Sequence, residues 1–502
     1  MASGYAALGA NILFTLIQWP LAVRYLSTKE FGLWTAVVSL SVNLQMLVDM
    51  GISGSIGRIL IDHKDDSDST YYGSTIKTGA LALLAQGALI ALVGSAITLG
   101  LPRWMNIDER FHEIFRHLMT GQCVLMGLAF VGRMNTFLLQ AHQRYDVANY
   151  SQMGSLIASL VGLWIGFERG YGLYSLLLST AVSLIVNNLC CLGAVVGLGL
   201  FPKADRWGVA SWQKFKEIFS YANDIFLLSV AQVLIAMSQT PLITLRLGLE
   251  ANAVWSTMTK TFMLAQQFIA RMFDYSSTPF AEMMVRNERE RLHARFRDVV
   301  LLTGSLGVFL CVGLVVGNAS FVQLWMHGQF SWPVANDFLM ALFILSYTST
   351  RCHIGFAGLT KQIGMMKFIY LGEGVVFILL GYVLAPLLGL AGIIVAGILA
   401  NLFCSGLYGL NRTRGYFSIP AREVLFDWLK FPARLFACLL IVAAALWFGT
   451  RQLPPVVRLV LDAVGYGLLG SFLLWRLGLP ASLRQELGKF TARFRNRAEN
   501  SR

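Results

Sequence analysis

The sequence predicts an all-α polytopic membrane protein of about fourteen transmembrane helices. They form two pseudo-symmetric six-helix lobes followed by two C-terminal helices. Three observations point there. Of 502 residues, 56% are hydrophobic and only 13% charged, whereas an average soluble chain carries roughly 25% charged residues. The apolar residues fall in blocks near the roughly twenty residues that cross about 30 Å of hydrocarbon. Landmarks of the first two blocks return, equally spaced, in the seventh and eighth.

Apolar runs between polar punctuation place the spans near 5–25, 31–60, 76–100, 115–141, 147–167, 173–200, 221–247, 253–284, 299–325, 336–360, 367–386, 390–411, 432–450 and 456–478. Met1–Ala10 lacks a basic region and a small-residue cleavage site, so no cleavable signal is expected. The loops after even-numbered spans are basic: Lys203, Arg206, Lys214 and Lys216; then Arg286, Arg289, Arg291, Arg295 and Arg297; then Lys361 and Lys367; then Arg412, Arg414, Arg422 and Lys430. This bias places both termini in the cytoplasm and accounts for most of the formal charge of +13. No basic module stands apart from the spans, so nucleic acid is not an expected partner. Asp65, Asp66 and Asp68 run against the trend, but acids weigh little in that rule.

Three stretches read as amphipathic helices on the cytoplasmic leaflet. One has Trp207, Trp212, Phe215 and Phe219 interleaved with Lys214 and Lys216. Another is Ala421–Lys430, with Leu425 and Trp428. The third is the tail, where Leu483, Leu487, Phe490 and Phe494 lie opposite Arg484 and Arg493. The expected domains are therefore a first lobe at 1–201, a linker helix at 202–220 and a second lobe at 221–413. The last two spans with their interfacial helix occupy 414–480, and a basic tail 481–502.

The repeat rests on Pro20-Leu21 preceding Trp34 as Pro241-Leu242 precedes Trp255, with a short polar turn between. A similar offset lays the fourth span on the tenth and Arg133 on Arg351. Six spans per repeat leave the halves parallel, a construction that secondary transporters use around a midplane cavity. An arginine inside a span costs about 2.5–3.5 kcal/mol on insertion scales and faces a bundle interior or a watery cavity. Arg133 and Arg351 are thus candidates to hold an anion, with Lys260 towards the outer end of the eighth span and Arg58 and Arg271 nearer the cytoplasm. Of the acids, Asp49 in the second span, Asp274 in the eighth and Glu373 in the eleventh are candidate ion-coupling groups, and Asp224 opens the seventh. Asp49 has a second reading, as the salt-bridge partner of an arginine such as Arg58. Amides including Gln18, Gln45, Asn135, Gln232 and Gln266 fit either a hydrated lumen for sugar hydroxyls or interhelical contacts.

The seven cysteines lie in apolar segments without metal-ligand spacing and read as small core residues. No phosphate-cradling loop, nucleophile elbow or HExxH motif occurs, which argues against an enzyme.

Gly32-Leu33-Trp34, then Asp49 with Gly51, then Arg58 resembles the opening of Wzx-type polysaccharide flippases of the multidrug/oligosaccharidyl-lipid/polysaccharide exporter superfamily. Val48 stands where that pattern has leucine. The resemblance implies an inner-membrane translocase that carries undecaprenyl-diphosphate-linked oligosaccharide outward by alternating access through a cationic central cavity. It implies coupling to H+ or Na+ with no other cofactor, and a polysaccharide polymerase and chain-length regulator as partners besides membrane lipids. A flippase for a peptidoglycan lipid precursor shares the diphosphate. A drug/cation antiporter of the superfamily would instead want acids and aromatics. A membrane polymerase would need a larger outer loop than Leu101–His117 or His327–Asp337.

Overall fold

The computed structural model describes residues 2–63, 70–360, 364–480 and 483–485, without the side chains at 2, 5, 221–229, 232, 236 and 237. Asp65, Asp66, Asp68, Lys361 and Gln362, the side chains of Asp224 and Gln232, and nearly all of the amphipathic tail lie outside the described residues. Every regular element described is helical. Eleven of these segments are long and apolar enough to cross a membrane.

The expected spans at 221–247, 253–284 and 336–360 fall short of that measure. Each is interrupted by polarity or by a break. A π-helical turn, Val233–Met237, interrupts the first. Lys260, Arg271, Asp274 and Glu282 sit in the second, and Asp337, Arg351 and His353 in the third. Charge is thus concentrated in helices that carry candidate site residues.

Contacts divide the chain into two compact units, Met1–Ala253 and Val254–Arg502. The first holds α1 (Ala2–Tyr25), α2 (Thr28–Asp49), α3 (Ile52–His63), α4 (Tyr71–Ile97), the short α5 (Leu101–Trp104) and α6 (His112–Ala141). It continues with α7 (Tyr145–Glu168), α8 (Tyr174–Gly197), α9 (Trp212–Gln232) and most of α10 (Gln239–Met258). α6 is its centre, packed by α2, α3, α4 and α8, while α9 lies on α2, α3 and α4. That packing draws residues 202–253 into the first unit, well beyond the sequence-drawn lobe edge at 201.

Local chemistry sets the ends of these helices. Ser27 caps α2 in a reciprocal box: the Glu30 amide donates to Ser27 Oγ and the Ser27 amide to Glu30 Oε2 at 2.8 Å. Pro20 lies inside α1. Its repeat partner Pro241 falls in the first turn of α10, where a missing N–H costs nothing. The second expected span is broken, because Met50 (φ 49°) and Gly51 (φ 75°) are both left-handed and end α2 at Asp49. The carbonyls this leaves at Val48 and Asp49 are both met by Gln86 Nε2 of α4, at 2.7 and 2.8 Å. Gln86→Leu strands those two acceptors, the first buried and the second partly so, and should cost about 1–3 kcal/mol. A lower midpoint for unfolding of the purified protein, with no change in helix content, checks it.

The linker 202–220 is docked on the protein, a contact its composition does not show. Lys77 Nζ donates to Gly208 O at 2.9 Å and Tyr71 Oη to Glu217 Oε1 at 2.5 Å. Trp207 lies so close to Gly73 that a Cβ there would overlap its backbone. Trp212 and Phe219 stay exposed, as an interfacial helix requires.

The second unit continues with α11 (Lys260–Val285), α12 (Arg289–Trp325), α13 (Val334–Leu359), α14 (Met366–Leu388) and α15 (Leu390–Asn401). It ends with α16 (Leu407–Phe417), α17 (Lys430–Thr450) and α18 (Pro455–Leu473). α12 is its centre, flanked by α11 and α13 and packed by α17 and α18. Val308, Val312 and Val316 meet Leu435, Leu439 and Tyr466 there, and Tyr466 Oη donates to Phe309 O at 2.7 Å. In the stretch 421–430, Trp428 is buried (1% exposed) among Phe296, His353 and Phe417, held by tertiary packing rather than lying free on a leaflet. Only neighbours such as Phe426 face outward.

Candidate functional site

In each unit an arginine–aspartate pair joins two spans, and the two pairs come from corresponding spans of the sequence repeat. In the first, Arg133 of α6 reaches the end of α2, with Nη1 3.0 Å from Asp49 Oδ1 and 3.1 Å from Ser53 Oγ. Ser53 itself donates to Asp49 Oδ1, and the guanidinium stacks 4.0 Å from the centre of the Phe130 ring. Asp49 stands at the helix break, just ahead of the N-terminus of α3, whose free amides favour a carboxylate. The reading of Asp49 as partner to Arg58 is corrected: Arg58 is exposed and lies 4.0 Å from Asp62, one turn on.

In the second unit, Arg351 of α13 places Nη2 2.9 Å from Asp274 Oδ1 of α11. The Arg351 Nε is buried with no hydrogen-bond partner among the described residues, so this guanidinium has a donor in reserve. Tyr347 and Tyr370 lie within electrostatic reach of both Arg351 and Glu373. Glu373 is 1% exposed and takes hydrogen bonds from Asn401 Nδ2 (3.1 Å) and the Ser405 amide (3.2 Å). Ser405 belongs to a π-helical turn, Leu402–Gly406, of the kind often retained at functional positions.

The remaining candidates are dispersed. Lys260 is the first residue of α11, half-buried, and Arg271 is exposed on the same helix. Gln266 and Asn135 are half-buried, and neither lines the cavity described next. A buried acid missed as a candidate in the sequence is Asp337, fully enclosed and bonded at 2.6 Å by Asn318 Nδ2.

A cavity of about 540 Å3 lies wholly within the first unit, walled by α1, α2, α6, α7 and α8. Among the described residues Arg133 is the one charged residue lining it, and Phe14 the one aromatic. Seven primary amides line it: Gln18, Gln45, Gln140, Asn149, Gln152, Asn187 and Asn188, of which Asn149 Nδ2 donates to Ser3 Oγ at 3.1 Å. Hydroxyls on α7 and α8 complete the wall. Ser159 and Ser179 exchange hydrogen bonds with each other's backbone and meet Oγ to Oγ at 2.7 Å, and Ser183 donates to Ser155. Only Gln18 and Gln45 of the seven amides were legible as lumen candidates. The signal for Asn187 and Asn188 is a polar stripe on α8, Ser179, Thr180, Ser183, Asn187 and Asn188, recurring at helical spacing in an apolar helix.

The sequence matches the polysaccharide biosynthesis protein family over residues 5–284. No curated protein matches it. Among solved structures, the fold is similar to the lipid II flippase MurJ in an inward closed conformation: TM-score 0.69 and 13% identity, covering 95% of this chain and 99% of that one. It is also similar to an inward-facing multidrug resistance MATE family transporter of the MOP superfamily (0.66, 14%, covering 80% and 94%). A MOP superfamily transporter from Pyrococcus furiosus, described by the reverse polarity of its binding pocket, gives 0.56 at 14%, covering 82% and 93%. The fold is thus that of MOP-superfamily flippases and transporters, and the chain belongs to the polysaccharide biosynthesis protein family.

Proposed function

We propose that the protein translocates undecaprenyl-diphosphate-linked oligosaccharide across the bacterial inner membrane, from the cytoplasmic to the periplasmic leaflet, with both of its own termini cytoplasmic. The observation that carries this reading is the pair of arginines, one per unit, each held by an aspartate from the corresponding span of the repeat at 3.0 and 2.9 Å. A guanidinium presents a planar fork that suits phosphate oxygens, and a diphosphate supplies the charge to compete with the aspartates. Neither pair is sealed: Arg133 is 28% exposed and Arg351 40%. Family membership supports a polysaccharide substrate. When a diphosphate takes either arginine, the aspartate of that pair, Asp49 or Asp274, loses its counter-ion and becomes able to accept H+ or Na+, which ties cargo to a coupling ion; Glu373 is a third carboxylate available for that role.

Purified protein in proteoliposomes tests this directly. It should move an undecaprenyl-diphosphate oligosaccharide between leaflets, at a rate that depends on a proton or sodium gradient. Equal or faster movement of a lipid-linked peptidoglycan precursor would redirect the reading to that substrate. Efflux of a cationic dye without lipid movement would overturn it in favour of a drug antiporter.

A further inference from the structure

The cavity of the first unit poses a physical problem that the diphosphate leaves unsolved. It lies inside a bundle of membrane helices, yet of its seven amides only Asn149 is paired, with Ser3; no side chain of Gln18, Gln45, Gln140, Gln152, Asn187 or Asn188 makes a hydrogen bond to another protein group among the described residues. Gln152 is exposed and the other five are half-buried, facing the cavity. Amides away from water are costly unless paired, and interhelical amides in bilayers ordinarily pair with one another or with backbone. Here the neighbouring serines of α7 and α8 do that, tying helix to helix, while the amides stay open to the cavity. Each amide offers two donors and a carbonyl acceptor. An array of such groups, with one cation, no acid and one aromatic, does not suit a cationic drug, which needs acids or aromatic faces. It matches a ligand rich in hydroxyls, each able to donate and to accept. The volume of about 540 Å3 falls in the roughly 300–1,000 Å3 range of small-molecule sites.

We infer that this cavity is a sugar-binding chamber: it takes an uncharged, polyhydroxylated segment of the cargo glycan, while Arg133 at its wall meets the adjoining anionic group. The inference rests on the flippase reading and adds to it the part of the cargo that the first unit reads. Gln152 of α7 and Asn187 of α8 reach the chamber from the two helices that the serine contacts fix, so they form a preset pair of donors and acceptors.

The test measures binding to the full-length protein in nanodiscs. One ligand is bare undecaprenyl diphosphate; the other is the same lipid carrying a neutral trisaccharide. The sugar should improve affinity at least tenfold in the wild type. The double variant Gln152→Leu/Asn187→Leu should lose that gain and keep its affinity for the bare lipid. Should the double variant not purify as a folded protein, Gln18→Leu serves on α1 and should reduce the gain several-fold. Equal binding of both lipids by the wild type, or a gain that survives the substitutions, overturns the chamber. If the sugar-dependent gain is present but Arg133→Ala and Arg351→Ala bind the bare lipid as well as wild type does, the chamber stands and the diphosphate reading fails.

Discussion

Arg133→Ala and Arg351→Ala should each lower translocation of lipid-linked oligosaccharide at least a hundredfold, with the protein still inserted and folded. Each arginine is the one strong cation of its pair, and an alanine leaves nothing to hold a phosphate oxygen. A hundredfold is about 2.7 kcal/mol, in line with two lost charge-assisted hydrogen bonds at about 1.5–3 kcal/mol each. The aspartate left behind is partly exposed, so its stranding costs well below the about 3–5 kcal/mol of a fully buried broken pair. Arg133→Lys keeps the charge but loses the fork, and should retain a small fraction of the rate. Asp49→Asn separates the two roles of the pair: if the aspartate releases arginine to cargo in exchange for a coupling ion, this variant binds the lipid at least as tightly and loses its dependence on the ion gradient. Leaflet-exchange rates and lipid affinities in proteoliposomes check both. Wild-type export by an Arg133→Ala/Arg351→Ala double variant would sink the assignment.

The second large effect is on folding. α4 and α6 meet backbone to backbone where Gly87 crosses Gly127: a Cβ on Gly127 would sit 2.5 Å from Gly87 O, and one on Gly87 would overlap Gly127 O. Backbone cannot step aside as a side chain can. Gly87→Val or Gly127→Val should therefore cost at least the about 1–3 kcal/mol typical of an overpacked core, and more if α6 is pushed off α4. Because α6 also carries Arg133, activity should fall with stability. Gly54→Ala, where a Cβ meets nothing within 4 Å, is the matched control and should be neutral. Thermal unfolding of the purified variants, followed by size-exclusion profile, reads the difference.

Class and charge were legible in the sequence for a simple reason. Twenty-residue apolar runs have few alternative folds, and a membrane arginine stands out against them. The partners of those arginines were harder to read. Asp49 and Arg133 lie on different helices, and nothing local to Asp49 favours Arg133 over Arg58; the choice is made by the helix break at Met50–Gly51 and by the packing of α6 on α2. The linker reads as a free amphipathic helix because its docking depends on close approach at Gly73, a tertiary fact. The stripe on α8 marks a polar face but not its partner: a serine in an apolar helix can bond to its own backbone, so Ser155 and Ser159 give no sign that they meet Ser179 and Ser183. Only the pairing of α7 with α8 shows that these serines face one another.

That pairing constrains how the first unit can move. Two reciprocal serine bonds, with Gly162 against Val182 and Gly166 against Ser175, fasten α7 to α8 along much of their length. The hairpin then acts as a stiff lever, and any rearrangement during a transport cycle must be taken up at softer joints. Met50–Gly51 is such a joint, spanned by a strut from α6 through Arg133 and a clasp from α4 through Gln86. Spin labels across α7 and α8 should hold one distance throughout turnover, while labels across the α2–α3 joint broaden. Cargo that draws Arg133 away would remove the strut and leave the clasp, so occupancy of the site would be felt as backbone slack in a neighbouring helix.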